Sequence, residues 1–120
     1  MDARSVAARV VAQVLEGASL SVALAPLLGE LPVEERALAQ ELSYGALRWG
    51  PRLQALVDRL LHKPLRGKDR EVLALLWVGL YQLIHTRVPE YAAVAGTVAA
   101  ARTSQKLWIP VLVQPGTTVR

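Results

Sequence analysis

Val6, Ala7, Val10, Val11 and Val14 recur at helical spacing near the start of the chain and share one face. Asp2 precedes this stripe as a cap, and Gly17 follows it, so a first helix is expected from about Ala3 to Glu16. Ser19 caps a short second helix carrying Leu20, Leu24 and Leu28, with Pro26 and Gly29 pointing to a loose end. Pro32 suits a first helical turn, where its missing N–H costs nothing. Glu34 and Glu35 then lie where the helix dipole favours acids. Leu38, Leu42, Ala46 and Trp49 continue that pattern and predict a third helix from about Pro32 to Trp49. Gly50-Pro51 breaks and restarts the chain. Leu53, Leu56, Val57, Leu60 and Leu61 make a fourth stripe, ended by Pro64.

After the loop HKPLRGKDR, a fifth helix is expected from about Lys68 to His85. Its stretch from Val72 to Ile84 is apolar except for Gln82, the mark of a helix buried on all sides. That run is shorter than the roughly 20 residues of a membrane span. Val88-Pro89 stops the helix, because a residue before proline avoids the α region. A sixth helix fits Pro89 to Arg102. The last stretch, KLWIPVLVQPGTTVR, is different: it is β-branched, polar and interrupted by Pro110 and Pro115. Each proline would cost about 3 kcal/mol in a helix interior, so this tail is expected to be extended or disordered. The pattern therefore predicts an all-α protein, a bundle of about six helices over residues 1–105 with an irregular tail over 106–120.

Composition narrows the chemistry. A chain of 120 residues, 52% of them hydrophobic, is enough for one domain with one core. It contains no cysteine, which excludes disulfides, thiolate zinc sites, iron–sulfur clusters and a thiol nucleophile within this chain. No signal-peptide pattern is present at the start. Glu34 and Glu35 are adjacent and so point in different directions, and Glu41 reads as a solvated residue. His62 and His85 are far apart, outside metal-ligand spacing, and read as helix-end residues near the last carbonyls. There is no glycine-rich phosphate loop. No catalytic residue and no metal site are expected.

The net charge of +4 favours an anionic partner. Lys63, Arg66, Lys68 and Arg70 crowd one proline-glycine loop, Arg48 and Arg52 flank the Gly50-Pro51 turn, Arg87 follows the fifth helix, and Arg4 and Arg9 lie on the first. Arginine engages phosphate through paired hydrogen bonds, although for any one of these residues a solvated surface position is the simpler reading. The aromatic residues Tyr44, Trp49, Trp77, Tyr81, Tyr91 and Trp108 do not interleave with the basic loop. Phosphate and shape contacts from helix ends are therefore expected, rather than base stacking on a sheet surface.

The stretch GLYQLIHTRVPEYAAV, Gly79–Val94, resembles the NusB-like helical domain. The resemblance is closest to the version found at the N-terminus of the RsmB/Sun/Fmu family of small-subunit ribosomal RNA cytosine 5-methyltransferases. RSVAARVVAQVLEGASL (Arg4–Leu20), ALAQELSYGALRW (Ala37–Trp49) and KPLRGKDREVLALLWVGLYQL (Lys63–Leu83) resemble the same domain in the same order. The likeness covers roughly residues 3–102. It implies a compact all-α fold in the cytoplasm that binds RNA, in particular ribosomal RNA, or a protein partner. In such methyltransferases a further domain carries S-adenosylmethionine and the catalytic cysteines, so this chain itself is expected to hold no cofactor. The resemblance also leaves open a NusB-type transcription antitermination factor, which binds RNA together with a small-subunit ribosomal protein. It implies RNA contacts at Arg4 and Arg9, which lie about 140° apart on an ideal helix and would clasp a groove edge. Charge and loop position add Arg48, Lys63, Arg66, Lys68 and Arg87.

Two departures from the family pattern follow. Ala95-Gly96 stands where these domains often carry an Asn-Glu pair, and glycine there costs a helix about 1 kcal/mol relative to alanine. The methyltransferase version also continues with a segment like phenylalanine-valine-asparagine-x-valine-leucine-arginine, which this chain lacks. Codons permitted for Val113–Val119, read one base later, spell Phe-Asn-Arg-Val-Leu-Arg. A frame change near residues 103–107, truncating the chain before the methyltransferase domain, is thus one expectation, and a natural terminus is the other. If the tail leaves the groove of the last helix unfilled, leucines of the fifth helix become exposed and self-association follows.

Overall fold

The computed structural model describes residues 2–61 and 69–86. They form α1 (Ala3–Leu15), α2 (Leu20–Leu28), α3 (Val33–Arg48), α4 (Gly50–Leu60) and α5 (Arg70–His85), with no strand among the described residues. The fold class is all-α, as the periodicity predicts. The sixth helix expected over 89–102, the Ala95-Gly96 departure and the tail over 106–120 lie outside the described residues.

Local chemistry sets the helix starts. Asp2 accepts the Ser5 N–H at 2.8 Å and so satisfies one of the orphan donors of α1. Glu35, from the first turn of α3, accepts the Ala3 N–H at 3.2 Å. One carboxylate thus sits at the positive ends of α1 and α3 together. Gly17, at φ 113, carries the chain out of α1 through the left-handed region. Ser19 Oγ accepts the Val22 N–H at 3.3 Å to open α2. Pro26 lies inside α2, in its last turn.

Pro32 stands just outside α3, at φ −54 and ψ 145, so the helix begins one residue later than expected. Between α3 and α4 only Trp49 intervenes. Its N–H donates to the Gly45 carbonyl at 3.0 Å, and its carbonyl accepts the Leu53 N–H at 2.9 Å. Hydrogen bonding therefore runs through the bend, and Gly50-Pro51 redirects the helix without an intervening loop. Pro51 takes a first-turn position of α4, where a donor is not needed. α4 ends at Leu60, with Leu61 already extended at φ −90 and ψ 143.

Two apolar clusters hold these helices together. The larger joins Ala7, Val11, Leu42, Leu53, Val57, Val72, Trp77 and Val78 from α1, α3, α4 and α5. The smaller joins Val6 and Val10 of α1, Leu24 of α2, Leu31 and Ala39. Each of the larger side chains stabilises the fold by about 1.5–3 kcal/mol when fully buried. Residues Trp77–Gln82 form an unbroken buried run on α5, the central helix expected from its composition. α1 is as central. Its small alanines and valines let it pack against α2, α3 and α5 at once, one side serving each cluster. The leucines of α5 are buried or half-buried, and among the described residues the exposed large apolar side chains are Val22, Val33, Tyr44 and Trp49.

The two buried polar residues among those described, Ser43 and Gln82, are paired within the core. Ser43 Oγ donates to the Ala39 carbonyl at 2.7 Å. Gln82, wholly buried, donates through Nε2 to the Val78 carbonyl at 3.2 Å. Trp77 Nε1 donates to Gln54 Oε1 at 3.0 Å, and Gln54 Nε2 donates to Asp58 Oδ1 at 2.8 Å, so α4 holds the indole in place.

Candidate nucleic-acid interface

The last turn of α5 is where the candidate residues converge. Arg4, half-buried at the start of α1, donates through Nε to Gln82 Oε1 at 2.8 Å. Arg48, exposed in the last turn of α3, lies close enough to act electrostatically on the Tyr81 hydroxyl. The structure thus brings Arg4 and Arg48 to one turn of one helix. Arg9 is exposed but stands about 7.5 Å further along α1 and about 140° round from Arg4, so it does not join them. Lys63, Arg66, Lys68 and Arg87 lie outside the described residues. Arg48, Arg52 and Arg9 make no hydrogen bond or ion pair among the described residues, which leaves their guanidinium groups available to a ligand.

Three rings form a column beside these cations. Trp49 and His85 stack with centroids 4.7 Å apart and planes 14° from parallel. His85 also stacks on Tyr81, at 5.4 Å and 26°. Below the column, the Tyr81 ring rests on the backbone of Gly45, where a Cβ atom would overlap it. Trp49 keeps 38% of its surface exposed, and Tyr44 on the neighbouring turn is 53% exposed. Tyr44 and Arg48 are four residues apart on α3 and share a face. Arg48 and Arg52 bracket Trp49 from either side of the bend.

The environment keeps both titratable rings neutral near pH 7. Burial lowers the His85 pKa below its ordinary 6.5, and the nearby Arg52 charge lowers it further. His85 Nε2 is shielded from solvent and has no hydrogen-bond partner. Burial raises the Tyr81 pKa above 10.0, Glu41 adds to the rise, and Arg48 opposes it. The surface that results is cationic at its edges and aromatic at its centre.

Sequence reasoning placed His85 at a helix end, where it is, but near the last carbonyls; its ring stacks on Trp49 and on Tyr81. It also left Tyr44, Trp49 and Arg52 out of the candidate set. The signal was present in YGALRWGPR, where Tyr44, Arg48 and Arg52 follow one another every fourth residue around an indole. Reading Gly50-Pro51 as an interruption hid it, because helical spacing is counted only within one helix. Among the described residues no group of three or more His, Cys, Asp or Glu is placed to hold a metal ion. None of the described helices is long and apolar enough to cross a membrane.

Relatives share this chain's pattern over most of its length. It is 45% identical over 109 residues to the ribosomal RNA small subunit methyltransferase B of Pseudomonas syringae, an alignment covering 90% of this chain and 24% of the relative. The protein of the same name from Pseudomonas putida is 46% identical over 109 residues, covering 90% of this chain and 25% of that protein. That from Sodalis glossinidius is 52% identical over 99 residues, covering 82% and 23%. The chain thus spans about a quarter of the length of the curated relatives it matches. The NusB family profile matches residues 1–113, a span that reaches beyond residue 105. All five described helices, and the ring column they build, fall within that match, and the chain belongs to the NusB family.

Proposed function

We propose that this chain is an RNA-binding recognition module, itself non-catalytic, corresponding to the N-terminal part of a ribosomal RNA cytosine 5-methyltransferase acting in the cytoplasm. The observation that carries this reading is the pair of exposed arginines Arg48 and Arg52, on either side of Trp49 in sequence and without a hydrogen bond or ion pair among the described residues. Guanidinium groups of this kind bind phosphate oxygens, and two of them about one helical turn apart follow a backbone rather than a single ion. The relatives are named for small-subunit ribosomal RNA, so RNA of that kind is the natural polyanion. Methyl transfer would fall to the part of such a protein beyond the quarter matched here, with S-adenosylmethionine bound there.

Fluorescence anisotropy with hairpins from small-subunit ribosomal RNA, titrated from 50 to 200 mM salt, tests the reading. Binding should weaken steeply with salt, by about 0.7–0.9 log units per log unit of salt for each phosphate neutralised. Arg48→Gln and Arg52→Gln should each weaken binding across all RNA sequences and reduce the salt slope by about one. Salt-independent binding, or unchanged slopes in both variants, would overturn the assignment. A small-subunit ribosomal protein captured from cytosol in a nuclease-resistant complex would favour the antitermination-type alternative.

A further inference from the structure

The phosphate-binding reading leaves the rings unused. Trp49 is more than a third exposed at the top of a column whose lower members, His85 and Tyr81, are tucked against α3. An indole in a solvated bend would ordinarily fold down onto apolar neighbours. Here its lower face is already taken by His85, 14° from parallel, so the ring is held flat and its orientation is set before anything binds. Preorganisation of this kind removes much of the ordering cost of association. Arg48 and Arg52, both exposed and one and three positions from Trp49, bring positive charge to this column, Arg48 acting on Tyr81 and Arg52 on His85. An exposed aromatic ring with cations close by matches a nucleotide whose base is unstacked and whose phosphates run past it.

We infer that the open face of Trp49 is a stacking platform for an unpaired RNA base, with Arg48 and Arg52 holding the phosphates that flank it. This rests on the RNA-binding reading and deepens it, by naming single-stranded loop or bulge RNA as the substrate class. A paired base keeps both faces inside its helix and cannot reach the platform. An apolar protein surface is disfavoured, because it would bury Arg48 and Arg52 with no anion to meet them. Neutral His85 keeps the column free of a charge that would draw water beneath the indole.

The test compares two RNAs with equal numbers of phosphates, one a hairpin with an unpaired loop and the other a fully paired duplex. The whole chain should prefer the hairpin. Trp49→Leu should weaken hairpin binding roughly tenfold or more, while leaving duplex binding and the salt slope unchanged. Trp49→Phe should keep most of the preference. A 2-aminopurine base placed in turn at each loop position should be quenched at one of them by the wild-type chain and not by Trp49→Leu. Equal affinity for hairpin and duplex would overturn the platform while leaving the RNA-binding reading intact, and failure to bind either RNA would overturn both. If circular dichroism shows that Trp49→Leu is unfolded, the wild-type quenching decides, and its absence at every loop position overturns the platform.

Discussion

Arg4 donates through Nε to Gln82 Oε1 at 2.8 Å, tying the first turn of α1 to the last turn of α5 across 78 positions of sequence. The acceptor is completely buried, and its amide nitrogen is already committed to the Val78 carbonyl. Removing the arginine strands a buried oxygen, which costs about 1–3 kcal/mol. Arg4→Ala and Gln82→Leu should each lower the urea midpoint. Their double variant should be less destabilised than the sum of the two, with a coupling of about 0.5–3 kcal/mol. Additive effects would mean that the contact contributes nothing. Part of Arg4's role is thus to hold α1 on α5, so loss of RNA binding in Arg4→Ala is interpretable only beside its stability.

Gly45 sets the height of the ring column. A methyl group there would overlap the Tyr81 ring, so α3 and α5 would have to separate. Alanine gains about 1 kcal/mol in helix propensity, but overpacking a filled site costs about 1–3 kcal/mol. Gly45→Ala should be destabilising on balance, with an altered near-ultraviolet dichroism signal as the rings shift. A stabilised variant with an unchanged signal would show that the Tyr81 ring has another place to go.

His85 makes stability depend on pH in a known direction. Its folded pKa lies below the ordinary 6.5, through burial first and Arg52 second, with the Arg48 and Glu41 charges one ring further away at Tyr81. As pH falls below about 6.5, the unfolded chain takes up the proton before the folded one does. The contribution of His85 is therefore full above about pH 6.5 and is lost progressively below it. Urea midpoints measured from pH 8 to pH 5 should decline on the acid side. In a His62→Gln background, where His85 is the remaining histidine, His85→Phe should keep the stack and flatten that decline. A profile that stays equally steep would place the titrating group elsewhere.

Glu35 caps a helix to which it does not belong. Its Oε1 accepts the Ala3 N–H at 3.2 Å, adding to the local cap from Asp2. Glu35→Ala should destabilise by about 1 kcal/mol, and Glu35→Gln by less, because the amide oxygen still accepts. Amide exchange in the first turn of α1 should quicken in the alanine variant. Unchanged protection there would mean that Asp2 alone suffices.

Helix starts and stops were legible because they depend on neighbours in the chain. Asp2 reaches Ser5, Ser19 reaches Val22, and Gly17 needs only its own φ. The buried face of α1 and the wholly apolar stretch of α5 were legible for a related reason, since a helix that must be covered advertises it through its own period. The resemblance at Gly79–Val94 rested on the same local order of residues. Even Arg48 could be singled out by charge alone.

The candidate site was legible only in its charges. Glu35 looked like an ordinary first-turn acid, Gln82 an interruption in an apolar run, and His85 a helix-end residue. Each acquired its role from a partner on another helix: Ala3, Arg4 and Trp49 respectively. Helical periodicity says which face is buried but not which helix will lie against it or at what angle. Trp49 meets His85 because α3 and α5 cross at Gly45, and that crossing depends on how several side chains fill one space together. A stack between residues 36 positions apart leaves no trace in the local pattern of either segment.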